Sequence, residues 1–167
     1  MGNILYEVPT TFEFDYFDFA FNFVLMAACL TIFVKCKNIK FKDTRYEIVK
    51  IISILCFGFL LLFNAIDITS SLDMHKKIVK QYEVGNYEIV EGFVEDFVPM
   101  PYEGHGNESF EINGVKFSYS DYIELCGYNK AKSHGGVIEG NGQHLKIGYI
   151  YYDSSYGNII VYIEQLE

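Results

Sequence analysis

Ser133-His134-Gly135-Gly136 is the tetrad whose residue types most invite a chemical reading. Glycines behind a serine and a histidine can turn consecutive backbone N–H groups towards an anion, and the imidazole adds a titratable donor. An exposed, flexible turn has the same composition. A hydrolase would take Ser118 or Ser120 as nucleophile, His105 or His134 as base and Asp121 to orient it, but no nucleophile-elbow motif surrounds either serine. No P-loop or dinucleotide fingerprint is present, and the cysteines and histidines show no metal-ligand spacing, so neither cofactor nor metal is expected. Eleven of the fourteen tyrosines follow position 80, and Tyr102, Tyr122 and Tyr128 fall in expected loops, where rings can line a groove for a peptide or glycan. The candidate ligand-binding residues are therefore Ser133, His134, Gly135, Gly136, Tyr102, Tyr122 and Tyr128, with no catalytic residue among them.

Charge narrows the partners of such a surface. The formal net charge is -9, and after position 68 seven lysines face fifteen carboxylates. Nucleic acid is excluded on this ground, because most of its affinity comes from Lys and Arg neutralising phosphates. An anionic lipid surface is disfavoured for the same reason. Cys126 is the one cysteine beyond the apolar runs, so this part of the chain must hold by packing without an internal disulfide.

The elements that position these residues fall into two groups. Residues 1–16 read as an N-terminal arm, 17–35 and 48–67 as two transmembrane helices, and 36–47 as a basic cytoplasmic loop. The first run is interrupted only by Asp18, Asn22 and Thr31, and the second carries Ser53 and Asn64. Asp18, Asn22 and Asn64 can meet within the hairpin or across a homo-oligomer, although their place near the outer ends favours solvation at the interface. Lys35, Lys37, Lys40, Lys42, Arg45 and Lys50 crowd the connecting loop, whereas the arm has no Lys or Arg. Positive loops stay inside, so the expectation is a multi-pass protein of a bacterial cytoplasmic membrane with both termini outside the cytoplasm.

Residues 68–86 read as a juxtamembrane stalk helix, capped by Ser70 or Ser71 and stopped at Gly85-Asn86. Residues 87–167 read as an all-β domain of four or five strands, a small barrel of the OB or SH3-like kind. Tyr87 to Val98 makes a long first strand with Gly92 as a bulge or sharp bend, and alternating apolar residues flank Asn113-Gly114, the signature of a type I′ hairpin. Leu145 to Tyr151 alternates again. Ile159 to Ile163 is apolar throughout and is expected to be central or covered on both faces.

Val90-Glu91-Gly92-Phe93-Val94, Phe97-Val98-Pro99-Met100-Pro101-Tyr102, Asn113-Gly114-Val115-Lys116-Phe117, Tyr119-Ser120-Asp121-Tyr122 and Ser133-His134-Gly135-Gly136 together resemble a pattern in uncharacterised bacterial proteins. In these a β domain of this kind follows membrane spans. The resemblance implies a bacterial source and one β module, and it carries no activity. In layout alone the chain also resembles the two-helix, β-barrel effectors of antiphage signalling, which implies a cytoplasmic barrel sensing a nucleotide. The leading expectation is a non-enzymatic, membrane-tethered module that binds an envelope protein or small ligand outside the cytoplasm. The alternatives are the ligand-gated effector and, third, the hydrolase.

Overall fold

The computed structural model describes residues 2–12, 16–37, 44–101, 106–123 and 126–167. Two long apolar helices, α1 (Tyr16–Lys37) and α2 (Thr44–Glu83), precede a mostly antiparallel β region and are themselves preceded by a short strand, β1 (Asn3–Glu7). The chain divides into two compact units, Glu13–Ser70 and Met1–Phe12 with Ser71–Glu167.

In the first of these units both helices are long and apolar enough to cross a membrane. α1 has 22 residues and α2 has 40, and ~20 residues suffice at 1.5 Å each. Phe21, Val24, Leu30, Leu55, Phe59, Leu62 and Ile66 are all exposed, and the apolar positions keep to no single face. A helix in water would need a polar side. The few polar groups are satisfied locally: Thr31 and Ser53 hydroxyls each donate to the carbonyl one turn back, Ala27 and Val49, at 2.8 Å. Asn22 donates its amide to Asn64 Oδ1 at 3.2 Å, so these two residues meet across the helix pair instead of reaching separately for interfacial water. The side chain of Asp18 lies outside the described residues.

The other unit begins where α2 continues past Ser71. Its end is set by Gly85, in the left-handed region at φ 72. The Gly85 N–H donates to Tyr82 O and the Asn86 N–H to Gln81 O, which closes the last carbonyls as the Gly-Asn stop signal predicts. The helix expected over 68–86 is the final part of α2, which runs unbroken through Ser70 and Ser71, so neither serine caps a separate helix, and its apolar residues do not stand free. Ile78 is fully buried, and Met74 and Tyr82 pack beside it against the sheet.

Six further strands follow: β2 (Glu88–Phe93), β3 (Glu95–Val98), β4 (Glu108–Ile112), β5 (Val115–Tyr119), β6 (His144–Tyr151) and β7 (Asn158–Gln165). They form two antiparallel sheets, β1-β7-β6-β2 and β3-β4-β5, and no closed barrel among the described residues. The chain passes from one sheet to the other at Val94, whose N–H and C=O pair with Gln143 and Gly142 at 2.9 Å, and Asp96 just beyond has φ 49. The bend expected at Gly92 therefore lies two residues later. Gly92 instead admits the neighbouring hairpin, because a Cβ there would stand 2.9 Å from Asn113 Nδ2.

The Asn113-Gly114 turn is as the sequence predicts, with φ 48 and 81 between paired Ile112 and Val115. β7 lies between β1 and β6 and is covered on both faces. Ile160 and Ile163 join Phe110, Ile112, Phe117, Leu145 and Ile147 in the main core. Ile159 and Val161 join Val8, Ile78 and Ile150 in a second cluster. Register jumps from Gly148↔Tyr162 to Tyr149↔Ile160, which leaves Val161 unopposed, and this bulge returns Ile163 to the face of Ile160.

The N-terminal arm contains a strand that its composition does not announce. β1 pairs with β7 through Asn3↔Gln165, Ile4↔Glu164, Tyr6↔Ile163 and Glu7↔Tyr162, and Val8 after it is buried.

Candidate functional site

Strand alternation puts Glu108 on the same face as Phe110 and Ile112, so a carboxylate opens the core face of β4. Glu108 is fully buried, and its oxygens accept the Tyr119 hydroxyl at 2.7 Å and the Lys132 backbone N–H at 3.1 Å. Burial, with Glu108 beside it, holds the Tyr119 phenol far above its ordinary range. Asp121, just past β5, binds the next position of the same loop: Oδ1 accepts the Ala131 N–H and Oδ2 contacts His134 Nδ1. Two carboxylates on one sheet thereby hold the start of the long loop through successive amides.

Ser133 and His134 lie in a single 3₁₀ turn, Lys132–His134, and both are exposed. Three of the four donors of the expected anion nest are engaged within the loop. The N–H groups of His134 and Gly136 donate to Ala131 O, and that of Gly135 to Lys132 O. The glycines serve shape instead. Gly135 has φ 85, and a Cβ on Gly136 would stand 2.2 Å from Lys130 O and 2.7 Å from the Tyr128 hydroxyl.

The three tyrosines separate. Tyr122 is 55% exposed beside exposed Ile123, on a turn that starts at Asp121. Tyr128 is buried, its ring edge-on to Tyr119 and its hydroxyl accepting the Val137 N–H at 2.6 Å, so it is a core residue and not part of a contact surface. Loop position alone hides this, because a long loop that folds back over a small core lends it aromatic rings. Tyr102 and His105 lie outside the described residues.

Of the hydrolase set, Asp121 and His134 come together as a base and its orienting acid. The serines do not join them. Ser120 is buried with its hydroxyl on Met100 Sδ at 3.8 Å, and Ser118 Oγ accepts from Asn107 at 3.0 Å.

A second pair has no sequence signal, because its members are 51 positions apart: Cys126 Sγ lies 3.4 Å from His75 Nδ1, while His75 Nε2 is 3.4 Å from Thr10 O. Burial pushes the Cys126 thiol up to about 11, so it is a protonated hydrogen-bond partner and a poor nucleophile. Among the described residues no cluster of three or more His, Cys, Asp or Glu is placed to hold a metal ion.

The site thus consists of two exposed segments, Tyr122-Ile123 and Ser133-His134, joined by Asp121 and braced from below by Glu108. It presents an aromatic ring, an aliphatic side chain, a hydroxyl and an imidazole on two exposed turns. The chain matches no protein-family model, and comparison with curated proteins and with solved structures gave no match.

Proposed function

We propose that this chain is a non-enzymatic binding module tethered to a bacterial cytoplasmic membrane, with its β domain outside the cytoplasm. The observation that carries the binding role is Asp121, which ties the Tyr122 turn to the His134 turn through both of its oxygens. Binding surfaces gain affinity when loops are ordered beforehand, because less conformational entropy is lost on contact. A tyrosine beside an aliphatic residue and a polar rim suits a protein or glycan of the envelope. The acidic balance of the domain disfavours nucleic acid and phosphate-rich ligands.

Support for the membrane tether comes from the length and all-round apolarity of α1 and α2. The basic residues from Lys35 to Lys50 support placing their connection in the cytoplasm. The strand that changes sheets at Val94 supports a small barrel of the OB or SH3-like kind left open. So do the side-chain bridges from Asn113 to Glu91 O at 2.8 Å and from Asn158 to Lys116 O at 2.9 Å. The gated-effector alternative has less support, since the N–H groups of His134, Gly135 and Gly136 in its anion cradle are taken up within the loop.

A photo-crosslinking amino acid at position 122 tests the binding role in growing cells. It is expected to trap one discrete envelope adduct that the same probe at Tyr151, an equally exposed position, does not give. No adduct, or the same adduct from both positions, would overturn the reading.

A further inference from the structure

We infer that the chain between Phe12 and Ser71 enters and leaves the bilayer on one side, so that α1 and α2 cross it together or not at all. This rests on the reading of α1 and α2 as spans, and it reaches the parity of the crossings from strand pairing, independently of loop charge.

The first observation is the β1-β7 ladder. Paired strands lie ~4.8 Å apart, whereas a hydrocarbon core is ~30 Å thick. Residues 3–7 and 158–165 therefore share a compartment. Val8 reinforces this, being buried with Ile150, Ile159 and Val161 of the same sheet. A chain that starts and finishes in one folded unit has crossed any membrane an even number of times. One span serving alone as the anchor would place β1 opposite its partner.

The second observation is where the chain departs and returns. After β1 it runs along the last turns of α2. Glu7 accepts the Tyr82 hydroxyl, His75 Nε2 meets Thr10 O, and the Phe12 and His75 rings are edge to face at 5.4 Å. His75 is one helical turn past Ser71, or ~6 Å along the axis. The exit at Phe12 and the re-entry at Ser71 are thus neighbours on one edge of the unit. Adjacent entry points are what a helical hairpin needs, since packed helices lie ~8–10 Å apart. A cross-helix bond from Asn22, early in α1, to Asn64, late along the apolar stretch of α2, is the pairing that antiparallel spans give. The partner of both helices is then lipid hydrocarbon, and the connection between them belongs to the opposite side of the bilayer.

The test uses the full chain with its cysteines replaced, carrying one thiol at a time: Asn3→Cys, native Cys36, or Glu167→Cys. Intact cells are treated with a membrane-impermeant maleimide, before and after permeabilisation. Positions 3 and 167 are expected to label alike and Cys36 to label oppositely. Opposite behaviour of 3 and 167 overturns the inference. Identical behaviour of all three overturns the spanning reading and leaves the same-side inference standing. The Asn3→Cys/Gln165→Cys double variant then checks the ladder directly. With copper phenanthroline added as oxidant, it is expected to form an intrachain disulfide in isolated membranes, and its failure to do so overturns the ladder on which the inference stands.

Discussion

Glu108 shows how one residue can commit a loop. A buried carboxylate requires donors, and it takes them from Tyr119 and from the Lys132 amide. Tyr119→Phe removes one donor without changing shape, so it should cost about 1–3 kcal/mol in urea unfolding of the chain in detergent. Asp121→Ala should leave global stability nearly intact while amide exchange at Ala131 accelerates roughly tenfold or more, because that N–H loses its acceptor. Several phenols respond to alkali in the same direction. Burial holds Tyr128 up at about 12, and a hydrogen bond to Glu88 does the same for Tyr149. A phenol pKa raised by folding means that the folded state favours the neutral ring. That stability is complete below the ordinary value of 10.0 and is lost as the pH climbs towards about 12. Unfolding followed by circular dichroism should therefore set in above pH ~10 together with ionisation of these two rings, and ionisation of Tyr128 and Tyr149 without unfolding would contradict it. The burial of Glu108 is legible from alternation, since it shares the parity of Phe110 and Ile112. That of Tyr128 is not, because nothing in a loop's sequence says which of its side chains turns inward.

At the scale of elements, local rules carry far where a residue type has one conformational reason to be present. Asn113-Gly114 needs positive φ twice and has it, and Gly85-Asn86 ends α2. The unbroken apolar run of β7 indicates cover on both faces, which the two clusters supply. Gly92 misleads as a bend because a glycine in a strand permits either a kink or a close approach, and only the packed hairpin decides between them. Gly92→Ala should consequently cost about 1–3 kcal/mol by pressing on Asn113 and Ile112, measurable as a lowered urea midpoint, while Gly142→Ala, with open space around it, should act only through its positive φ. β1 escapes notice for a different reason. Five residues of mixed character carry too little periodicity to identify a strand whose partner is more than 150 positions away.

For the molecule as a whole, the second hydrophobic cluster is where β1, the end of α2 and the outer face of the sheet meet. Val8→Asp places an unpaired carboxylate among Ile78, Ile150, Ile159 and Val161, so it should cost about 3 kcal/mol or more and raise the maleimide reactivity of Cys126 by at least an order of magnitude. Unchanged Cys126 reactivity would mean that this cluster does not hold the N-terminal segment. The two long apolar helices are legible in the sequence, because a run of that length without a polar face has one solvent that suits it. Closure of the domain by its own N-terminal strand is not legible there, because pairing between distant segments depends on the complete fold.

That strand also sets a schedule for biosynthesis. β1 is synthesised before either helix, and its partner β7 only after both. At ~5–20 residues per second the ribosome needs roughly 10–30 s to travel from one to the other. Through that interval β1 waits unpaired while both helices and five other strands are made, and the sheet gains that edge only once β7 has emerged. On the proposed reading of α1 and α2 as spans, completion of the fold reports that insertion has succeeded, and a chain stalled with one helix inserted cannot assemble this domain. Defects in span insertion should thus appear as degradation of the β domain, even where every residue of that domain is unchanged.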